Sequence, residues 1–251
     1  RFNEAFSIGG QNGLTSDAAA CTIRTVESLT GVFIDHWVVV DFTGFTAMVD
    51  ALGGIPMCIP NDMDSPKAGL HVTAGQQVLN GTTALAFARA RTGTGVGDGS
   101  DTNRLGRQQQ LLAATANEVL SKNLLTDSTA LYRFLTAATS SLTANPELGN
   151  IPALAGLAFS LRTIPSGNIT FMTIPFGSYA PDPNQVQWTS DAAPVWANVA
   201  ADLPIVTPAP VVEPTVDPTT GETVAPVEPV EPVETPQPGV DPFTPDDVTS
   251  V

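Results

Sequence analysis

The stretch from Pro208 to Val251 has a composition that keeps it out of any compact core, and so confines the fold to the residues before it. It holds eleven of the chain's 22 prolines, nine of its 25 carboxylates and neither lysine nor arginine. Too little apolar surface is available there to offset the entropy of ordering the backbone. The repeat P-V-E-P-V-E-P-V-E-T-P predicts extended polyproline II character. Residues 208–251 are therefore expected to be a disordered acidic tail. It reads as a solvated linker or terminus, or as an extended segment that recruits a partner.

The 251-residue chain has a formal net charge of −15, of which the tail supplies nine charges. An acidic chain lacks the basic footprint of non-specific nucleic-acid binding. Any strong anion site must be local. One is suggested by R-A-R-T-G-T-G-V-G-D-G-S-D-T-N-R-L-G-R-Q-Q-Q, since four of the ten basic residues fall between Arg89 and Arg107.

Hydrophobic spacing predicts a layered α/β or α+β domain, because helix and strand patterns alternate along it. D-A-A-A-C-T-I-R-T-V-E-S-L-T reads as a helix over 17–30, capped by Ser16 or Asp17 and ended by Gly31. D-H-W-V-V-V-D-F reads as a buried strand. G-F-T-A-M-V-D-A-L-G-G follows as a helix and I-P-M-C-I-P as an edge-like strand, with a polar loop over 61–74.

In L-N-G-T-T-A-L-A-F-A-R-A-R, strand alternation puts Leu85, Phe87, Arg89 and Arg91 on one face. A helix is expected from about Thr102 to Leu120, its core face formed by Leu105, Leu112 and Val119. Further helices are expected near 128–141, 153–161 and 190–200, with a strand at N-I-T-F-M-T-I-P.

On the helix after Asp101, Arg104, Arg107 and Gln108 share the first turns, beside exposed backbone N–H groups and the positive end of the macrodipole. Two guanidiniums from a strand end and two from a helix start can hold a phosphate or pyrophosphate. The alternative is solvated charge, or pairing with Asp98 and Asp101. Asp101 reads first as a helix cap, and also as a ligand for a divalent cation if one oxygen stays free.

The loop lacks G-K-[ST] and is no Walker A motif. His36 and His71 have no metal-ligand spacing, and His36 reads as a core residue. No G-x-S-x-G is present. Cys21 and Cys58 are the two cysteines, and spacing alone does not decide between a bridge and buried thiols. No run of about 18 apolar residues marks a membrane span.

F-N-E-A-F-S-I-G-G, C-T-I-R-T-V-E-S-L-T-G-V-F-I-D-H-W-V-V-V-D-F-T-G-F, V-D-A-L-G-G-I-P, L-N-G-T-T-A-L-A-F-A-R-A-R and D-T-N-R-L-G-R-Q-Q-Q, in that order, resemble the LytR-CpsA-Psr family of bacterial cell-envelope proteins in its actinobacterial style. The similarity runs from Arg1 to about Lys122, the expected core of the catalytic domain, and more weakly through 123–207, whose helices and strand complete it. It implies a central mixed sheet flanked by helices, with an apolar cleft for a polyprenyl chain.

The activity implied is transfer of a glycopolymer, often arabinogalactan or a related wall glycan, from a polyprenyl-pyrophosphate carrier to peptidoglycan, with magnesium, outside the cytoplasmic membrane. A pyrophosphate hydrolase and a non-catalytic module binding lipid-linked intermediates are the alternatives.

Arg89 and Arg91 match the family's R-x-R, and Asp101, Arg104, Arg107 and Gln108 its D-x-x-R-x-x-R-Q. The resemblance makes Arg89, Arg91, Arg104 and Gln108 catalytic, joins Arg1 and Arg107 to them for pyrophosphate binding, and gives Asp101 to the metal. Its envelope location favours a Cys21–Cys58 disulfide. The chain opens on Arg without an initiator Met, so it is expected to be a fragment. An upstream aspartate, an arginine in an S-x-P-R-D-like strand and a membrane anchor are then expected before Arg1, and the fragment alone is expected to be inactive.

Overall fold

The computed structural model describes residues 2, 4–97, 99, 101–121, 128–139, 142–161, 163–182 and 184–205. Arg1, Asp98 and the tail lie outside the described residues.

Two helices open the chain, α1 (Glu4–Gly9) and α2 (Thr15–Thr30). Gly9 lets them touch, since a Cβ there would stand 2.5 Å from Cys21 Cβ and 2.6 Å from the Asp17 carbonyl oxygen. α2 starts two residues earlier than its capping signals predict, with Leu14 at the N-cap, and Asp17 sits in its first turn where it complements the macrodipole. Gly31, at φ 71°, ends it by donating its N–H to the Glu27 carbonyl.

The V-V-V run forms only a short strand, β1 (Val38–Val40), followed by α3 (Phe42–Ala51), whose cap is the Asp41 carboxylate accepting the Gly44 N–H at 2.7 Å. β1 was expected to be buried. Among the described residues it pairs on one edge alone, antiparallel to a strand at Leu142–Ala144, and Val38 and Val40 stay exposed.

β2 (Ile55–Ile59) has the predicted edge character. Ile55, Met57 and Ile59 point into the core, and its antiparallel partner is β5 (Gly75–Leu79). Between them the expected polar loop holds a hairpin, β3 (Met63–Ser65) and β4 (Leu70–Val72), closed by a tight turn at Pro66–Gly69.

The stretch predicted to be the arginine-bearing strand is a helix, α4 (Gly81–Arg89). Asn80 caps it through a 2.9 Å bond from the Thr83 N–H, and its alanines have high helix propensity. The alternation of alanine with larger residues imitated a strand, but burial of Gly81, Ala84 and Phe87 follows the helical repeat. Gly81 meets α3 so closely that a Cβ would lie 2.3 Å from the Thr46 carbonyl oxygen.

α5 (Asp101–Ser121) forms over the predicted span. Its buried stripe is Arg107, Leu111, Ala114 and Glu118, whereas Leu105 and Leu112 are 41% and 56% exposed, so the expected heptad face points away from the core. The core is built from Val49, Ile55, Ile59, Leu70, Leu79, Phe87, Val96 and Leu111 with their neighbours.

α6 (Ser128–Thr139), the β1 partner strand β6 (Leu142–Ala144) and α7 (Ile151–Leu161) follow. Asn168–Pro175 forms no strand. It holds a single bridge residue, Phe171, and just beyond it β7 (Phe176–Ser178) meets β8 (Val186–Trp188), after which α8 (Ala192–Ala200) packs on α2. The architecture is α+β, and the described residues carry four two-stranded antiparallel ribbons in place of the expected central mixed sheet.

Candidate functional site

The ends of α4 and α5 are locked together by side chains that sequence reasoning had turned toward a ligand. The Arg107 guanidinium is 6% exposed and donates to the carbonyls of Ala90 and Val96. Gln108 Nε2 donates to the Ala88 carbonyl at 3.1 Å. These carbonyls belong to the end of α4 and the loop beyond it, where helical partners run out. Burial, and secondarily the charge of Arg104, lowers the Arg107 pKa from its ordinary value. Arg107 thus spends its fork on the backbone that positions Arg89 and Arg91, and its contacts differ from those of the pyrophosphate ligand expected from the sequence.

The glycine-rich loop between α4 and α5 is fastened to β3. Asp64 N–H donates to the Thr94 carbonyl at 3.0 Å, and Ser65 Oγ, fully buried, donates to the Thr92 carbonyl at 2.6 Å. At Gly93 and Gly95, with φ of 140° and 70°, a Cβ would stand 2.0 Å from the carbonyl oxygens of Asp64 and Asp62. The glycines therefore permit backbone-on-backbone packing as well as left-handed turns.

On this platform Arg91 and Arg104 converge on one carboxylate. Arg91 Nη2 lies 3.2 Å and Arg104 Nη2 3.4 Å from Asp101 Oδ1. Arg104 Nε is buried with no hydrogen-bond partner among the described residues. Arg89, last residue of α4, lies with its guanidinium carbon 4.6 Å from the centroid of the Phe42 ring. The structure thus brings together Arg91, Asp101 and Arg104, with Arg89 on the adjoining helix end and Gln108 and Arg107 behind.

Both ion pairs use the same Asp101 oxygen, which leaves Oδ2 outside them. That donor set fits a hard cation in part. Among the described residues no group of three or more His, Cys, Asp or Glu could hold a metal ion, so Asp101 would be one ligand of a cation completed by other oxygens.

A cavity of about 540 Å³ opens beside Arg91 and Asp101, with Thr102, Leu105, Phe176 and Asn184 on its walls. Leu105, Phe176 and Val186 also wall a second cavity of about 490 Å³, which runs on past Phe2, Leu29, Met172, Ile174 and Trp188. Gln109 holds this second wall by donating to the Met172 carbonyl at 3.0 Å. Charge at one end and apolar side chains at the other make a continuous amphipathic cleft. Its β7–β8 wall and Gln109 were missed from sequence, because residues so far apart carry no local signal of meeting.

Other expectations resolve differently. His36 is no core residue: it is half exposed, and its Nδ1 lies 3.0 Å from Asn145 Nδ2 and 3.4 Å from Glu147. Cys21 and Cys58 are free thiols, one on α2 packed against α1 and α8, the other on β2 between β5 and α5, so the expected disulfide is absent.

The sequence model of the LytR_cpsA_psr family matches residues 1–196. The chain belongs to this family. Over 156 residues the LytR-CpsA-Psr chain is 34% identical to the cell wall biosynthesis protein LcpA of Corynebacterium glutamicum, covering 62% of this chain and 29% of that relative. It is 33% identical over 126 residues to the polyisoprenyl-teichoic acid–peptidoglycan teichoic acid transferase TagV of Bacillus subtilis, covering 48% of this chain and 29% of TagV.

The chain thus spans under a third of the length of either. The crystal structure of B. subtilis TagV superposes with a TM-score of 0.61 at 25% identity, covering 81% of this chain and 74% of that one. A LytR-Csp2A-Psr enzyme from Actinomyces oris gives 0.61 at 22% identity over 78% and 72%. These neighbours establish the LytR-CpsA-Psr fold.

Proposed function

We propose that the chain carries part of the site of a transferase that moves a glycopolymer from a polyprenyl-pyrophosphate carrier to peptidoglycan. The observation that carries this reading is the amphipathic cleft, in which Arg91 and Asp101 stand at one end, Asp101 being paired with Arg104 as well, and Leu105, Phe176, Val186 and Trp188 continue it as an apolar wall. A polyprenyl pyrophosphate has that same division, a compact polyanion on an apolar chain. Family membership and the name of TagV support the donor and acceptor classes, and the name of LcpA supports a role in cell wall biosynthesis.

In this reading Arg91 and Arg104 hold the pyrophosphate oxygens, and Asp101 keeps both forks aimed into the cleft until the donor arrives. Arg89, on the same helix end, adds a further cation, and Gln108 with Arg107 fixes the backbone beneath them. Asp101 Oδ2 would hold magnesium, whose chemistry here is to neutralise phosphate charge. An acceptor sugar hydroxyl attacks the phosphorus attached to the polymer. Its P–O bond forms as the bond to the prenyl phosphate breaks, and the hydroxyl proton leaves to solvent. The arginines stabilise the charge gathering on the leaving prenyl phosphate, so that positioning and electrostatics supply most of the rate.

The site faces outward from the cytoplasmic membrane in this reading and reaches it through the lipid of its donor. No helix among the described residues is long and apolar enough to cross a membrane. The test uses the full-length natural protein, lipid-linked donor, peptidoglycan and magnesium. Arg104→Ala should reduce polymer transfer by at least ~100-fold, as loss of a transition-state donor does. Transfer at the unsubstituted rate, or polymer release equally fast without peptidoglycan, would overturn the reading.

A further inference from the structure

A further cavity of about 280 Å³ shares Arg91 with the Asp101 cleft and is lined by Ser65, Lys67, Ala68, Arg89, Arg91 and Thr92. Among the described residues that line it, Lys67, Arg89 and Arg91 are cationic and none is a carboxylate, in a chain of net charge −15 that has only two lysines, Lys67 and Lys122. Arg91 is paired with Asp101 on its other flank, while Lys67 and Arg89 add two further cations, so the lining keeps an excess of positive charge that favours an anion.

Lys67 is held over the cavity by built structure. It occupies the turn between β3 and β4, closed by Ala68 N–H to the Ser65 carbonyl at 3.0 Å and Gly69 N–H to the Pro66 carbonyl at 3.2 Å. Ser65, at the base of that turn, is bonded to the Thr92 carbonyl, and so ties the lysine's turn to the residue next to Arg91. The neighbouring acid, Asp64, is engaged elsewhere, 3.4 Å from His71 Nδ1.

We propose that Lys67, with Arg89 and Arg91, forms a second anion subsite that receives a phosphate ester of the glycan, one step along the donor from the pyrophosphate. This rests on the transferase reading for its placement. Arg91 lines both cavities, so a donor whose pyrophosphate meets Arg91 from the Asp101 side brings its first sugars to the Lys67 side. The cavity lies just below the ~300–1,000 Å³ usual for drug-sized ligands, which suits a single phosphorylated sugar. A lysine serves here as a mobile point charge, able to follow a phosphate whose position varies with the sugar, where an arginine fork would demand fixed geometry. Lys67 is thus a specificity residue, selecting donors whose polymer is anionic close to the carrier.

With so few lysines, lysine-selective isotope labelling of the 251-residue chain gives a spectrum in which Lys67 is assigned by its loss in Lys67→Gln. A sugar 1-phosphate should shift the Lys67 ammonium signal saturably. Lys67→Gln, at an exposed turn, should keep the fold and weaken that affinity about fivefold or more, read on the Arg89 and Arg91 signals of arginine-labelled samples of both proteins. Saturating geranyl pyrophosphate, followed independently by Trp188 fluorescence, should leave the Lys67 shift by sugar phosphate in place.

If geranyl pyrophosphate excludes the sugar phosphate, Lys67 belongs to the pyrophosphate site and the separate subsite is overturned. An unmoved Lys67 signal, or unchanged affinity in Lys67→Gln, overturns it as well. If the sugar phosphate binds at Lys67 while geranyl pyrophosphate binds nowhere, the prenyl-carrier reading fails and the anion subsite stands.

Discussion

Arg107 shows how a charged residue can be required by a site without facing it. Its ionised form is penalised by burial and by Arg104, and the two carbonyls of Ala90 and Val96 offset that cost through charge-assisted bonds. Arg107→Met keeps the volume but strands both acceptors, each costing about 1–3 kcal/mol when left unsatisfied. We expect a loss of about 2–4 kcal/mol in urea unfolding, and Arg107→Lys should recover only part of it, since one ammonium cannot span both oxygens as a fork does.

A change below about 0.5 kcal/mol would mean that the clamp is dispensable. The spacing of Asp101, Arg104, Arg107 and Gln108 was legible in the sequence, as was their helix. Which arginine turns inward was not. Residues three apart share a helix face, and the choice between them is made by carbonyls of another element that spacing does not reveal.

At the level of elements, the sequence disclosed helices whose ends are chemically marked, such as α3 with Gly53–Gly54 and α2 with Gly31, while the Asp41 cap of α3 was read as part of a strand. It misled where two periods coexist. Ala84 to Arg91 alternates small and large residues as a strand would, yet Asn80 caps it as a helix, and the cap and alanine propensity prevail. The heptad of Leu105, Leu112 and Val119 was likewise real as a pattern, but part of it lines the cleft instead of the core.

The glycines of the loop after Arg91 would alone suit a flexible joint, but the loop is laid along β3 through Thr92, Gly93, Thr94 and Gly95. Gly95→Ala tests that difference. A flexible joint would tolerate it and gain slightly from the smaller unfolded-state entropy, whereas here the positive φ and the Asp62 carbonyl oppose a Cβ. We expect destabilisation of more than ~1 kcal/mol, with faster hydrogen exchange at the Asp64 amide, whose acceptor is the Thr94 carbonyl. Unchanged exchange at Asp64 would show the loop to be free of β3.

For the whole molecule, an α+β class followed from alternating patterns, while the sheet arrangement did not, because β1 finds β6 across a hundred residues and β7 finds β8 after a stretch expected to be the strand. The cleft belongs to this same non-local scale. Its apolar wall joins α5 to β7 and β8, and exposes Leu105, Val186 and Trp188, side chains that a core would ordinarily bury. Exposure of this kind separates stability from binding.

Leu105 is 41% exposed, so Leu105→Asp should lower the unfolding free energy by about 1–2 kcal/mol, less than the loss of a fully buried leucine, and leave the protein folded. The same carboxylate stands between the arginine end and the prenyl wall. It would lose its hydration under a bound isoprenoid and repel the pyrophosphate beside Arg91. Geranyl pyrophosphate affinity, followed by emission from Trp188 beside Trp196, whose ring centroids are 5.2 Å apart, should therefore fall at least ~10-fold, about 1.4 kcal/mol. Inorganic pyrophosphate, which has no chain to desolvate the carboxylate, should lose distinctly less. Equal losses for both ligands would assign the effect to charge alone and remove the apolar wall from the binding site.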